Sequence, residues 1–219
     1  VSSLFVKKKK LNNTSFDAII SYATSPIYQA IPAIIYSKRY NIPIFLWVQD
    51  LWPDVLKDLN IINNKSILKI LNQSIEYLYN QCDYLLAQSP RIKKILHKKF
   101  KNTLLVYNPS NINRFQSKKK TKNKIKKIIF AGNIGKAQAL EKLIGYGRFI
   151  KEKKLPILFE IIGEGSNKKN LQLIAKEANL EKIIIFKDFM KPEIIEKYLL
   201  NADGFLVSLG IGRALSSTI

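Results

Sequence analysis

A glycine-rich turn in the second half of the chain combines residue types that bind phosphate. It reads Gly132-Asn133-Ile134-Gly135-Lys136 and follows the apolar run Lys126–Ala131. Leu140, Leu143 and Ile144 then recur at helical spacing, which predicts a strand, a loop and a helix. Gly135 and Lys136 should lie near the helix N-terminus, where unpaired N–H groups and the positive end of the dipole favour an anion. The alternative is an ordinary strand-to-helix turn with a solvated lysine.

Two further positions follow predicted strands. Gly163-Glu164-Gly165 comes directly after the apolar run Ile157–Ile162, at the strand end where open α/β sheets bind ligands, although a plain turn is an equal alternative. Asp50 follows the run Pro43–Val48, where a carboxylate could hold a substrate hydroxyl or act as a base. The alternative for Asp50 is a capping role in the turn before Trp52-Pro53.

Other reactive side chains have a simpler interpretation. His97 lies among lysines, and we expect it on the surface. Cys82 is the single cysteine, and we expect a small core residue rather than a nucleophile. No spacing typical of metal ligands is present, so we expect neither a metal nor another cofactor.

Apolar runs alternate with amphipathic stretches along the whole chain, which predicts parallel βαβ units and an α/β fold. One helix should run from Ser25-Pro26 to about Tyr40 with a kink at Pro32. Another should span about Ser66 to Gln81, and we expect one buried face made of Ile67, Leu68, Ile70, Leu71, Ile75 and Leu78. The predicted strands are 17–21, 43–48, 83–87, 104–107, 126–131, 157–162, 183–186 and 204–208.

The lysine-rich stretch 116–127 predicts a linker between a first domain, 1–115, and a second, 128–219. The first residue is Val1 and the only methionine is Met190, so we expect a piece of a longer protein.

The chain is strongly basic, with 37 Lys and Arg against 16 Asp and Glu and a net charge of +21. Such a field attracts nucleic acid, an anionic membrane or phosphorylated ligands. The lysine runs 7–10, 93–101 and 118–127 are solvated faces or membrane contacts. No apolar run is long enough to span a bilayer and no leader is visible, which favours a cytosolic location.

Three motifs together resemble the GT-B glycosyltransferases, in particular family 4 ("group 1"). They are Ser25-Pro26 before a helix, the run Trp47–Asp54, and the run Phe130–Gln138 followed by Leu140-Glu141. They look most like the branch that transfers N-acetylated deoxysugars, such as fucosamine, in bacterial surface-polysaccharide synthesis. The resemblance extends from about Asp17 to Leu209 and implies two Rossmann-like domains, the first holding mainly the acceptor and the second the nucleotide-sugar donor.

The resemblance also implies roles for residues. The donor would be bound by Gly132, Asn133, Ile134, Gly135, Lys136, Gly163, Glu164 and Gly165, and Asp50 would be catalytic. The donor would be UDP-linked and the acceptor a lipid-linked saccharide of lipopolysaccharide, capsule or exopolysaccharide synthesis. The enzyme would be cytoplasmic and peripheral to an anionic membrane, and no nucleic acid would be bound.

The chain departs from the family pattern at both ends. The family's N-terminal strand with its glycine-rich loop, and the donor-binding segment with its acidic residue, have no counterpart, so we expect each domain to be incomplete. The resemblance therefore implies the activity of a parent enzyme more strongly than activity in this chain. One alternative is a basic nucleic-acid-binding protein, although no helix-turn-helix, ribonucleoprotein or zinc motif is present. Another is a non-catalytic remnant.

Overall fold

The computed structural model describes residues 16–109 and 125–217. The chain divides into two compact units, one made of Val1–Pro109 with Ile211–Ile219 and the other of Ser110–Gly210. Each unit contains one four-stranded parallel sheet with helices between its strands. The predicted α/β class is therefore confirmed.

The sheet of the first unit has its strands in chain order. The strands are β1 (Ile19–Ala23), β2 (Ile44–Val48), β3 (Tyr84–Ala87) and β4 (Thr103–Leu105). The helices are α1 (Ile31–Tyr40), α2 (Asp54–Asp58), α3 (Lys65–Asn80) and α4 (Pro90–His97). All neighbouring strands are parallel, so the segments that follow β1, β2, β3 and β4 emerge at one edge of the sheet.

The predicted kink at Pro32 is absent, because the helix begins there. Residues Ile27–Ala30 form a 3₁₀ turn, and Pro32 lies in the first turn of α1. A proline in the first helical turn removes an N–H group that would have no helical partner, so the helix tolerates it without a kink.

The predicted buried face of α3 is only partly correct. Ile75 and Leu78 are buried, whereas Ile67 and Ile70 are exposed. At about 100° per residue, Ile70 lies more than 100° around the helix axis from the middle of the buried face. Ile70 therefore belongs to a second apolar stripe that faces away from the core of this unit.

In the second unit the strand order reverses at its first strand. The strands are β5 (Lys126–Ala131), β6 (Ile157–Ile162), β7 (Ile184–Lys187) and β8 (Gly204–Phe205), in the order β7-β6-β5-β8. The helices are α5 (Lys142–Glu152), α6 (Lys168–Glu177) and α7 (Pro192–Leu199). Because β5 begins at Lys126, the last two residues of the predicted linker belong to the sheet. Residues 116–124 of that linker, and the lysine run 7–10, lie outside the described residues.

The two faces of this sheet are covered unequally. One face carries the larger core, in which Phe130, Ile134 and Ile161 pack with residues of α5 and α6. The other carries a small cluster of Ile129, Ile162 and Ala202 against α7. On that side Glu160 is buried, and its carboxylate accepts a hydrogen bond from the Tyr198 hydroxyl. Glu160 Oε1 also lies 3.5 Å from Lys127 Nζ and 3.6 Å from Lys187 Nζ. These polar contacts fix α7 on a sheet face that has few apolar contacts to offer.

The last described residues pack on the first unit. The N–H groups of Ala214 and Leu215 donate to Asp58 Oδ2, at 2.7 and 3.2 Å. Ser89 Oγ donates to the carbonyl of Ser217 at 2.5 Å. The predicted second domain, 128–219, includes these residues, because no break in the sequence separates them from it.

Candidate functional site

A pocket of about 630 Å³ opens at the carboxyl edge of the second sheet. One side consists of the turns after β5 and β6, and the other of the segment after β7 and the inner face of α7. The lining residues are Ala131, Gly132, Asn133, Ile162, Gly163, Glu164, Phe189, Met190, Pro192, Ile195, Glu196 and Leu199. Both glycine turns singled out in the sequence therefore meet at one cavity, at the edge where open α/β sheets bind ligands.

The predicted donor-binding residues divide into two groups. Gly132, Asn133, Gly163 and Glu164 line the pocket. Ile134, Gly135, Lys136 and Gly165 do not line it, and the Ile134 side chain is fully buried in the larger core. Lys136 is exposed at the start of a 3₁₀ turn, Lys136–Gln138. Ala139 is left-handed, with φ 46°, so α5 begins only at Lys142 rather than at the glycine turn.

Most N–H groups of the first turn are already used within the protein. Gly132 donates to the carbonyl of Ile162 at 3.0 Å, and Ile134 donates to that of Glu164 at 2.8 Å. The N–H of Gly135 donates to Gln138 Oε1 at 3.1 Å. Among the described residues, only the N–H groups of Asn133 and Lys136 in this turn have no acceptor. An anion at the turn would therefore meet these two N–H groups and the lysine ammonium.

The glycines of the second turn are required by backbone packing. Gly163 has φ +141°, and a Cβ there would lie 2.0 Å from the carbonyl oxygen of Gly132. Gly165 has φ +159°, and its Cβ would lie 2.3 Å from the carbonyl oxygen of Ile134. The two turns therefore pack backbone against backbone, which only glycine permits at these positions.

Lys168 is a site residue that the sequence analysis missed. Its ammonium group is buried and lies 2.7 Å from Glu164 Oε1 and 2.8 Å from Asp188 Oδ1. Burial opposes the charged form, but the hydrogen bonds to Asp188 and Glu164 outweigh it and raise the pKa of Lys168. The same contact lowers the pKa of Asp188. Lys168 thus ties the Glu164 turn to the end of β7, and the four-residue spacing of Glu164 and Lys168 was the available signal.

The apolar wall of the pocket was also missed. Phe189 is 69% exposed, and Met190, Pro192, Ile195 and Leu199 extend the wall along α7. The sequence does contain a signal for this wall, because the segment after β7 must emerge at the same sheet edge as the two glycine turns. An exposed aromatic ring beside an apolar surface suits a flat ligand group.

Asp50 lies at the carboxyl edge of the first sheet in a small polar network. Its Oδ2 accepts a hydrogen bond of 2.6 Å from Ser25 Oγ, and that oxygen in turn accepts one of 3.0 Å from Trp52 Nε1. The network joins the segments that follow β1 and β2. The half-buried carboxylate is thereby held in place, and its catalytic role stays a prediction.

The other reactive groups do not line the pocket. His97 is exposed at the end of α4. Burial raises the pKa of the Cys82 thiol to about 12, so little thiolate forms at neutral pH. In residues 16–109 and 125–217, no group of three or more His, Cys, Asp or Glu side chains is placed to hold a metal ion. No helix in the same ranges is long and apolar enough to cross a bilayer.

The pocket-bearing unit can be compared with known protein families. Residues 111–210 match the family model described as "Glycosyl transferases group 1". The matched region includes all four strands of the second sheet and every residue that lines the pocket. A search of curated protein sequences gives no significant match.

Solved glycosyltransferase structures share the fold of the chain. The lipopolysaccharide outer core galactosyltransferase WaaB has a TM-score of 0.60 at 18% identity, over 94% of this chain and 54% of WaaB. The pneumococcal O-GlcNAc transferase GtfA, in complex with UDP and GlcNAc, has a TM-score of 0.63 at 18% identity, over 93% and 40%. Anabaena HepE, in complex with UDP and glucose, has a TM-score of 0.62 at 14% identity, over 87% and 52%.

These comparisons show the GT-B fold, and residues 111–210 match the group 1 glycosyltransferase model. The chain spans about half or less of each solved structure named above. They do not favour the alternative of a nucleic-acid-binding protein, since the matched domain and the named neighbours are glycosyltransferases.

The contact between the two glycine turns gives a first prediction. Gly163→Ala should destabilise the chain by about 2–4 kcal/mol, because the new Cβ collides with the Gly132 carbonyl at a positive φ. Gly145→Ala is the matched control: it lies inside α5 with nothing within 4 Å of the added Cβ, and should stabilise by about 1 kcal/mol. Urea unfolding of the three proteins measures both effects. Equal stability of Gly163→Ala and the parent chain would contradict the described packing.

Proposed function

We propose that the protein is a family 4 glycosyltransferase, of the branch similar to N-acetyl-deoxysugar (fucosamine-type) transferases. It moves a hexosyl or N-acetylhexosaminyl group from a UDP-linked donor to a lipid-linked saccharide. The product belongs to lipopolysaccharide O-antigen, capsule or exopolysaccharide synthesis. Because the chain spans only part of the enzymes it is similar to, the proposal concerns the protein that carries this sequence.

The observation that carries the proposal is the pocket shared by the two glycine turns. It lies inside the region that matches the group 1 model, and its volume of about 630 Å³ is in the range of ordinary ligand sites. The solved structures of GtfA and HepE contain UDP together with a sugar. A nucleotide-sugar donor is therefore the ligand that we assign to this pocket.

The parts of the pocket suit the parts of such a donor. The exposed Phe189 ring and the apolar wall of α7 can receive the base and ribose. Asn133 lines the pocket and Lys136 lies three residues further along the same turn, outside the lining, so their N–H groups and the Lys136 ammonium can receive the diphosphate at that end. In the transfer the bond between the anomeric carbon and the diphosphate oxygen breaks, the acceptor oxygen bonds to that carbon, and UDP leaves. A cation at the diphosphate stabilises the negative charge that develops on this leaving group.

The acceptor is assigned to the first unit. Asp50, held by Ser25 at the end of β2, is a carboxylate that can orient an acceptor hydroxyl or accept its proton. WaaB, a lipopolysaccharide outer core galactosyltransferase, shares the fold. This likeness supports the proposal that the acceptor is the saccharide part of a surface glycolipid.

A membrane-bound acceptor requires contact with the bilayer, and α3 offers a suitable surface. Its outer stripe contains Ile67, Ile70 and Tyr77, of which Ile70 is 65% and Tyr77 69% exposed. Lys65 and Lys69 are exposed on the same helix. The lysine-rich end of α4 adjoins it through the ion pair of Lys99 with Glu76. An apolar stripe with lysines along one side can lie on an anionic bilayer. We propose that the protein is cytoplasmic and binds peripherally to the inner face of the membrane through this helix.

Binding of UDP tests the donor assignment. Isothermal titration should show that the chain binds UDP, and that Lys136→Ala weakens binding about tenfold through loss of one charge-assisted contact. Lys142→Ala is the matched control, since Lys142 is an exposed lysine of the same unit at the start of α5. If both variants weaken UDP binding equally, the lysines act through general electrostatic attraction. That result would contradict a specific contact between Lys136 and the diphosphate. Titration with ADP in place of UDP tests whether the site prefers uracil as the base.

Vesicle sedimentation tests the membrane assignment. The chain should sediment with vesicles that contain phosphatidylglycerol, less with pure phosphatidylcholine, and less at high salt. The double variant Ile70→Ser, Tyr77→Ser should lose most of this binding. Leu173→Ser is the control, because Leu173 is a comparably exposed apolar residue on α6. If the double variant sediments as the parent chain does, α3 is not the membrane-binding surface.

A further inference from the structure

Glu164 lines the pocket of the second unit between its two ends. It follows β6, and β6 lies between β5 and β7 in the sheet. The Glu164 side chain is 60% exposed. Asn133, after β5, and Phe189, after β7, line the pocket on either side of it. A ligand that reaches from the glycine turn to the Phe189 ring therefore passes the Glu164 carboxylate.

The Glu164 carboxylate is held in place by the buried ammonium group of Lys168. That ammonium donates to Glu164 Oε1 at 2.7 Å and to Asp188 Oδ1 at 2.8 Å. It also donates to the backbone carbonyl of Lys187 at 3.2 Å, so all three of its N–H bonds are used. The Lys168 side chain is only 9% exposed, and a buried charge cannot leave its partners without a large cost. Lys168 therefore fixes one oxygen of Glu164, while the exposed carboxylate still faces the pocket with the other.

The charges around the pocket decide which part of a nucleotide suits Glu164. A carboxylate only accepts hydrogen bonds, so it needs a donor on the ligand and repels a phosphate. Of the described residues that line the pocket, none is a lysine, arginine or histidine. The diphosphate therefore belongs at Lys136, outside the lining. The ribose has two hydroxyl groups that can donate, whereas uracil has a single N–H between two carbonyl oxygens whose partial negative charges oppose a carboxylate.

The order of the strands matches the order of the groups in a nucleotide. Neighbouring strands lie about 4.8 Å apart, so the ends of β5 and β7 are separated by about 10 Å with the end of β6 midway. With the diphosphate at the β5 turn and the base at Phe189, the ribose lies over the end of β6, at Glu164. An acidic side chain beside the phosphate-binding turn contacts the ribose in dinucleotide-binding α/β folds, which is the same physical solution.

We infer that Glu164 is a specificity-determining residue, which accepts a hydrogen bond from a ribose hydroxyl of the donor, and that Lys168 is its positioning residue. The inference rests on the proposed function for the identity of the ligand. It makes the pocket selective for ribonucleotides over deoxyribonucleotides.

Titration calorimetry with UDP, 2′-deoxy-UDP and 3′-deoxy-UDP tests the role of Glu164. In the parent chain at least one deoxy compound should bind about tenfold more weakly than UDP, because it lacks the hydroxyl that donates to Glu164. In Glu164→Ala this preference should disappear. Glu177→Ala is the matched control, since Glu177 is an exposed glutamate at the end of α6, and it should keep the preference of the parent chain. The ratio of two affinities cancels the general effect of removing a negative charge.

The same ratio tests the role of Lys168. Lys168→Met removes the ammonium and should reduce both the preference for UDP and the stability to urea. Lys168→Arg keeps a charged donor and should restore part of the preference. A lysine that only stabilises the fold would lower the stability and leave the preference unchanged, which would contradict the positioning role.

The outcomes separate this inference from the donor assignment. Equal affinity of the parent chain for all three nucleotides would overturn the inference and leave the proposed donor site standing. An unchanged preference in Glu164→Ala would also overturn it, because another residue would then contact the hydroxyl. If no nucleotide binds, the inference and the donor assignment fail together. If Glu164→Ala does not fold, Glu164→Gln takes its place: its neutral oxygen is a weaker acceptor, so the preference should fall severalfold, and an unchanged preference would overturn the inference.

Discussion

The close approach of two backbone segments governs the geometry of the second unit. The Gly132 carbonyl lies where a Cβ of residue 163 would stand, and the Ile134 carbonyl lies where a Cβ of residue 165 would stand. Hydrogen bonds between the same segments, from Gly132 to Ile162 and from Ile134 to Glu164, fix their register. The pocket exists because these turns end neighbouring parallel strands and are joined in this way. The glycines at positions 163 and 165 are therefore required for the backbone packing of the pocket wall, whether or not a ligand is bound.

Charged and polar groups supply contacts to α7 that the small apolar core on that face of the sheet does not provide. Glu160 is buried between lysines of β5 and β7 and accepts from Tyr198 of α7, so it fastens the helix that forms the opposite pocket wall. Lys168 does the same for the Glu164 turn and Asp188. Buried charges are stable only when they are paired, so loss of one partner would leave the other uncompensated. Both networks lie next to the pocket and leave its floor and apolar wall free for a ligand.

Much of the fold could be predicted from the sequence, because buried parallel strands read as short apolar runs between amphipathic stretches. The strand β6 matched its prediction to the residue, and the alternation gave the α/β class. The failures have physical causes. Pro32 begins α1 rather than kinking it, and Ile70 was assigned to the core although its helical angle places it on the outer stripe. The residue pattern of a helix such as α3 does not indicate which of its two apolar faces will pack against the rest of the unit.

The site was predictable only where a motif marks it. The two glycine turns could be predicted, but the N–H groups of Gly132 and Ile134, expected for phosphate, donate instead to Ile162 and Glu164, thirty positions further along the chain. The α7 wall reaches the site because it follows a strand that ends at the same sheet edge, and Lys168 has a local signal only in its four-residue spacing from Glu164.

If the proposed function is correct, the pocket of the second unit binds the base of a nucleotide and the adjoining glycine turn binds its diphosphate. Backbone amide NMR shifts on addition of UDP measure this binding residue by residue. The shifts should concentrate on Asn133, Lys136, Gly163 and Phe189, with little change in the first unit. Shifts confined to the lysine-rich segment 93–101, or no shifts at saturating UDP, would contradict it.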